Sequence, residues 1–286
     1  MVKPVLNPAP PNLPLGPDQY DRRYQDQYSN VLRLYFNQLK NALGELLGTQ
    51  GGKYLQFANG AFYQDGVTTL TNSINNVSTA DIVVASTADF VLSSGGIIIG
   101  SEIIAYKGKT ATSFTGITRG AYGSTKAAHT AGSVVTEAQT LASASVAAPL
   151  ALYKTTSSNG VALDATDKSK IVFSIEGIYN IQFSIQMLTY DGTIDNVTVW
   201  FRQNGVDIPY SAGVATVPAI HGGNPGTAII SWNLVLPVNA DDYVQLLFAS
   251  NTGNTVAATY PQGTSPVHPI SPSIIVTATF VSALYP

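Results

Sequence analysis

Four side chains able to move or hold protons fall close together in a stretch of small, glycine-rich sequence. They are Glu102, Tyr106, Arg119 and His129, within GGIIIGSEIIAYKGKTATSFTGITRGAYGSTKAAHTAGSVV, residues 95–135. A carboxylic acid, a phenol, a guanidinium and an imidazole could supply a general acid, a general base and an anion clamp. The same residues could instead pin the loops of a small β module that has little core: Glu102 or Tyr106 tied to Arg119 by a charge-assisted hydrogen bond, and His129 capping a turn. We expect the pinning role. The motif holds no second carboxylate to complete a glycosidase pair, and Asp81, Asp89 and Glu137 fall at its flanks. Its glycines do not make a phosphate loop either: GGIIIGSE lacks the order G-x-x-x-x-G-K-[ST], and GITRGAYG does not lead from a strand into a helix.

Other reactive groups are sparse. The chain has no cysteine, which excludes disulfides, thiolate zinc sites and a Cys nucleophile. Asp191, Asp195 and Asn196 in YDGTIDN offer oxygen ligands to calcium, but their spacing is not that of an EF-hand loop. His221 in AIHGGNPG and His268 in SPVHPISP sit in Gly/Pro-rich loops, and no Ser-His-Asp or His-x-x-x-His spacing connects them. The reading is therefore no catalytic residue, no cofactor and no metal. Tyr210, His221, Tyr260 and His268 are the candidate surface-binding loop residues, because a tyrosine offers a flat apolar face with a hydroxyl, suited to stacking on a sugar ring. Packing between subunits at a symmetry axis is the competing role for the same loops.

The surroundings fit assembly better than solitary chemistry. Hydrophobic residues make up 45% of the 286, but charged residues only 11%, about half of the ~25% usual in a soluble domain. Thr, Ser, Asn and Gly replace the charge, and surfaces built from them meet with fewer ions to desolvate. A net charge of −3 without a Lys/Arg cluster argues against a nucleic-acid groove. The N-terminus lacks the apolar run of a secretion signal, and no stretch approaches the ~18 apolar residues of a membrane span.

Residues 1–17 contain Pro4, Pro8, Pro10, Pro11, Pro14 and Pro17, which force an extended arm. From Asp18 the pattern reads as one helix closed by Gly48. Tyr28, Leu32, Tyr35, Leu39, Ala42 and Leu46 form one apolar register, and Leu32, Phe36, Leu39, Leu43 and Leu46 a second on the adjoining face. Leu32, Tyr35, Phe36, Leu39, Leu43 and Leu46 are thus the candidate anchoring and oligomerising residues. Two seams suit a three-helix bundle, or a helix held between a partner and its own β domain; packing on its own domain alone fits the pattern as well.

After Gly51-Gly52 the pattern is β throughout. TLTNSI, DIVVAS, GGIIIG, EIIAYKG, TSFTGIT and SVVTE read as strands of a small module, and a border follows near residues 141–148. The order I-x-I-G-x-E-x-I-x-Y, then SFTGITRGAYGST, then AAHTAG-VV, resembles a small β module of tailed-bacteriophage virion proteins, over about a quarter of the chain. Beyond it KIVFSI, GIYNIQFSIQMLTY, NVTVWFRQNGVDI, TAIISWNLVLPV, DDYVQLLFASN, TVAATY and SIIVTATFVSALY alternate as an antiparallel sandwich. Here Phe173, Gly177, Tyr179 and Phe183 resemble the aromatic strand pair of the jelly roll shared by complement globular heads and the tumour necrosis factor family. Asn239 to Val244 is similar to that fold's L-x-x-G-D-x-V turn, with Ala240 where glycine is usual. The resemblance implies a compact homotrimer.

The expected fold class is mainly β: an extended arm with one long helix (1–50), a small β module (51–140) and a C-terminal antiparallel jelly-roll sandwich (141–286). The expected function is that of a non-enzymatic phage virion structural protein. We read a homotrimeric tail fibre or spike, anchored on other virion proteins by its N-terminus, with the C-terminal domain outward for attachment to a host surface glycan. A capsid decoration protein is the alternative, and a glycan-degrading spike a third reading.

Overall fold

In a computed structural model of the chain, residues 10–47, 57–90 and 92–284 are described, the side chains of residues 45–47 excepted. The protein is mainly β, with one helix among the described residues, near the N-terminus, and divides into two units, Met1–Phe57 and Ala58–Pro286. The start of the proline arm (residues 1–9), the stop at Gly48, Gly51-Gly52 and the Leu46 side chain lie outside the described residues.

Helix α1 spans Arg22–Leu47. It begins at Arg22 and not at Asp18 because Asp21 caps it: the Asp21 carboxylate accepts the Arg23 amide at 2.8 Å, and the Asp21 carbonyl accepts the Gln25 amide at 3.1 Å. The Tyr24 hydroxyl donates to the Pro14 carbonyl, 3.3 Å away, so the arm runs beside the first turn. The two apolar registers differ. Tyr28, Leu32, Tyr35 and Leu39 are half-buried and Ala42 is buried, whereas Phe36 and Leu43 of the second register are exposed, together with Leu34.

The second unit opens with β1 (Asn59–Gln64) and continues into the small module. Its strands are β2 (Val67–Thr69), β3 (Ile82–Val83), β4 (Gly95–Ile99), β5 (Glu102–Tyr106), β6 (Gly108–Lys109), β7 (Ser113–Thr115) and β8 (Val134–Gln139). β4 lies between β5 and β8, β2 pairs with β8, and β7 lies between β3 and β6, all antiparallel. Phe114 fills the middle, its ring 4.9 Å from that of Phe90 and 4.8 Å from that of Tyr106. The run TLTNSI is a strand only at its start. Asn75 Oδ1 accepts the Val77 and Ser78 amides and turns the chain, leaving single bridges at Leu70 and Ile74.

The rest of the unit is the sandwich. Its elements are β9 (Ala148–Pro149), β10 (Lys154–Asn159), β11 (Val161–Leu163), β12 (Ile171–Phe173), β13 (Gly177–Thr189), β14 (Asp195–Gln203), β15 (Val206–Asp207), β16 (Gly213–Val217), β17 (Gly226–Val238), β18 (Tyr243–Ser250), β19 (Val256–Ala258), β20 (Gly263–Thr264), β21 (Val267–His268) and β22 (Ile274–Ser282). One layer runs β10-β1-β22-β13, with β17 on the far side of β13. The other runs β11-β12-β18-β14, with β16 beyond β14. Among the described residues the ladders between these strands are antiparallel, as a jelly roll requires, with a single parallel bridge from Asn59 to Gly160.

The motif residues of the sandwich meet in its core. Phe173, Tyr179, Phe183, Phe201 and Phe248 are buried, and the Tyr179 hydroxyl is satisfied by the Ile175 carbonyl at 2.8 Å. Gly177 is needed because a Cβ there would stand 2.3 Å from the Phe280 ring. In the turn after β17 the left-handed residue is Asp241, at φ 68°, so Ala240 needs no glycine. Burial disfavours charge on the neighbouring Asp242. The Asn239 amide and the Asn204 and Gln203 side chains outweigh that by donating to its carboxylate, and its pKa falls below the ordinary value.

β1 precedes the module in sequence yet lies in the sandwich, beside β10 and β22. The segment 65–153 therefore leaves and re-enters between two neighbouring strands of one sheet. β19 pairs with the end of β13 on one side and with β8 of the module on the other, so module and sandwich share one hydrogen-bonded sheet.

Candidate functional site

Glu102 opens β5 and is completely buried. The hairpin turn at Gly100, φ 60°, places it opposite Ile99, and the loop after β7 brings Arg119 over it. The pair is bidentate: Arg119 Nε lies 2.7 Å from Glu102 Oε1, and Nη2 2.8 Å from Oε2. The backbone amides of Gly120 and Ala127 donate to the same carboxylate at 2.9 and 3.1 Å. His129 Nε2 is 2.8 Å from Oε2, and because an ionised carboxylate only accepts, that nitrogen carries the proton. Burial works to raise the Glu102 pKa, but the bonds from Arg119, His129 and Ala127 overcome it and hold the carboxyl below its ordinary value.

Arg119 is equally committed. Its remaining N–H groups donate to the carbonyls of Asn75 (2.9 Å), Ser78 (3.3 Å) and Ala127 (2.5 Å), so all five donors are used. The cluster ties β5 to the loop between β2 and β3 and to both halves of the long loop between β7 and β8. A carboxylate that already accepts five hydrogen bonds is a poor proton acceptor for a substrate, and its arginine has no donor left to clamp an anion.

Tyr106 lies outside this cluster. Its hydroxyl donates to the Leu92 carbonyl at 3.2 Å, and burial, with the nearby Glu137 carboxylate, holds the phenol far above its ordinary pKa. Of the two acids considered as the partner of Arg119, the structure selects Glu102. The turn-capping role expected of the His129 ring is corrected: the imidazole bonds Glu102, while the His129 backbone bridges to Ile74. Of the three flanking carboxylates, Glu137 and Asp89 are engaged. Gln64 Nε2 donates to buried Glu137, and Lys154 Nζ stands 2.8 Å from Asp65 and 3.8 Å from Asp89. A hollow of about 340 Å³ between Ile98, Gly100, Thr136 and Pro261 reaches the His129 ring, but Glu102 does not line it.

The calcium-type oxygens of the sandwich are used internally. Asp191 accepts from Asn254 Nδ2 at 3.0 Å, and Asp195 from the Thr252 and Thr255 hydroxyls at 2.8 and 2.5 Å. Among the described residues no group of three or more His, Cys, Asp or Glu is placed to hold a metal, and no helix is long and apolar enough to cross a membrane.

The four loop residues divide. Tyr210, fully exposed at φ 64°, lies between β15 and β16, and His221 stands exposed in a tight turn closed by its bridge to Asn224. Tyr260 and His268 instead come together, lining one groove of about 510 Å³ with Gln186, Thr227, Ile229 and Ser271. The Tyr260–Ser271 bridge closes the base of the β20–β21 hairpin beside that groove. Burial, with Tyr190 nearby, pushes the Tyr260 phenol up to about 12. Gln186, Thr227 and Ser271 carry no motif; only the pairing of β13 with β17 and the hairpin closure assemble them.

No protein-family model matches the chain, and no curated protein matches it.

Proposed function

We propose that the chain is a non-enzymatic structural protein of a bacteriophage virion: a homotrimeric tail fibre or spike, anchored through its N-terminal arm and helix, with the C-terminal domain outward. The observation that carries this reading is the second apolar register of α1. Phe36 and Leu43 of that register are 59% and 44% exposed, and an amphipathic helix gains stability only when such a face is covered. Further copies of the same helix would cover it, with the Lys40 ammonium, one turn from Phe36, kept at the rim by its long stem.

The sandwich supports the same reading. β1, β13, β17 and β22 contain no Asp, Glu, Lys or Arg. Their outward rows run Val235–Asn180–Thr279, Asn233–Gln182–Thr277 and Ser231–Ser184–Ile275. A sheet face of amides, hydroxyls and exposed Ile and Val suits contact with other subunits. The virion assignment rests on the motif order around Glu102, Arg119 and His129, whose closed hydrogen bonding fits a structural spacer.

Sedimentation at micromolar concentration tests the assembly. A trimer that dissociates in the variant Phe36→Asp/Leu43→Asp is expected; a monomeric parent overturns it. Immunogold labelling of particles with an antibody to the C-terminal domain tests location, with labelling at the tail expected and labelling of the capsid shell pointing to a decoration protein.

A further inference from the structure

We infer that the groove between the start of β17, the end of β13 and the β20–β21 hairpin is a binding site for a neutral saccharide, which rests on the reading of the C-terminal domain as the outward, attachment-bearing part. Its volume of about 510 Å³ falls within the roughly 300–1,000 Å³ of small-ligand sites. Among the described residues no carboxylate, ammonium or guanidinium lines it. A charged ligand would find no counter-ion there.

The polar lining is nonetheless well supplied. The side-chain amide of Gln186 and the hydroxyls of Thr227 and Ser271 make no hydrogen bond to another group among the described residues, so their donors and acceptors are uncommitted at the groove. His268 Nδ1 lies 2.8 Å from the Pro269 carbonyl and donates to it. The apolar lining comes from the Tyr260 ring and from Ile229, 66% exposed. A purely apolar ligand would strand the amide and hydroxyls without partners. A pyranose offers the complement of this mixture: a C–H face for the rings, and uncharged hydroxyls for Gln186, Thr227 and Ser271.

The experiment uses the full chain on an array of neutral oligosaccharides alongside sialylated and phosphorylated ones, followed by titration calorimetry with the best neutral hit. Binding of neutral glycans is expected. Gln186→Ala/Ser271→Ala should weaken it about tenfold or more, since each lost hydrogen bond contributes about 0.5–1.5 kcal/mol and 1.4 kcal/mol is a factor of ten. Ile229→Lys, at an exposed position, should abolish it, and Val214→Thr, exposed on β16 and outside the groove, should leave it unchanged. An array with no neutral hit, as when a neighbouring copy covers the groove, overturns the site; so does binding restricted to charged glycans or unaffected by the groove variants. Labelling on particles is read separately. Neutral-glycan binding without particle labelling removes the virion reading and keeps the site, while labelling without such binding does the reverse.

Discussion

The small module and the sandwich hold themselves together by different means. The sandwich core is a continuous apolar layer, in which Phe183 packs edge-to-face on Phe201 and Trp232, and Tyr179 on Phe173 and Phe280. The module's main core is a smaller cluster around Phe90, Tyr106 and Phe114. Its long loops are gathered by one buried ion cluster, Glu102–Arg119–His129. An apolar layer spreads its stabilisation over many dispersion contacts and tolerates small losses. A buried ion cluster concentrates its stabilisation in a few groups, and removing one strands the others.

The largest effect should follow removal of the cation. Arg119→Leu leaves Glu102 buried and unpaired, and should cost about 3–5 kcal/mol. Loss of amide exchange protection across residues 95–139 would report it, while the fluorescence of Trp200 and Trp232, both in the sandwich, changes little. The sign of the pH dependence should also invert. In the parent, the depressed Glu102 pKa means that the cluster's contribution is fully present above the ordinary value of about 4.3, and is lost as pH falls through the lower native value. In Arg119→Leu, burial without the cation raises that pKa, so the module should be most stable in acid and lose stability as pH rises. Urea midpoints at pH 4 and pH 7 decide this, and an unchanged slope would remove the cluster from its structural role.

Next should come Glu102→Gln, nearly isosteric but neutral, which loses the charge-assisted bonds and leaves Arg119 unpaired; about 3 kcal/mol is expected by urea unfolding. Gly177→Ala should cost about 1–3 kcal/mol by pushing the Phe280 ring, an overpacking effect confined to the sandwich. Ile185→Val in the same core should cost only about 1 kcal/mol. If this apolar change proved as costly as the isosteric polar change in the module, the contrast between the two regions would collapse. Tyr210→Ala, at a fully exposed side chain, should shift stability by no more than about 0.5 kcal/mol.

Much of the fold was legible because its signals are local. The alternation of Ile181, Phe183, Ile185 and Met187 marks β13 and its buried face. The run NVTVWFRQNGVDI, expected as one strand, is instead folded back at Asn204-Gly205, both at positive φ, into the hairpin of β14 and β15. The helix was legible to within a few residues, and its start was misplaced because a cap depends on which carboxylate turns back on the chain, Asp18 or Asp21. The sheet assignment of β1 was not legible. NGAFYQ alternates in the same way whichever sheet receives it, and its partners β10 and β22 are distant in sequence.

The candidate site shows the same division. Residue types and spacing alone fixed that Glu102, Arg119 and His129 sit among glycine-rich turns short of core, since those features belong to the chain itself. Only the tertiary structure decided that Glu102 takes Arg119 while Tyr106 turns to Leu92, that His129 bonds a carboxylate, and that Tyr260 meets His268 across a groove with Gln186, Thr227 and Ser271. The physical reason is that hydrogen bonds and cavities depend on the placement of strands paired over long sequence separations, which no local pattern encodes.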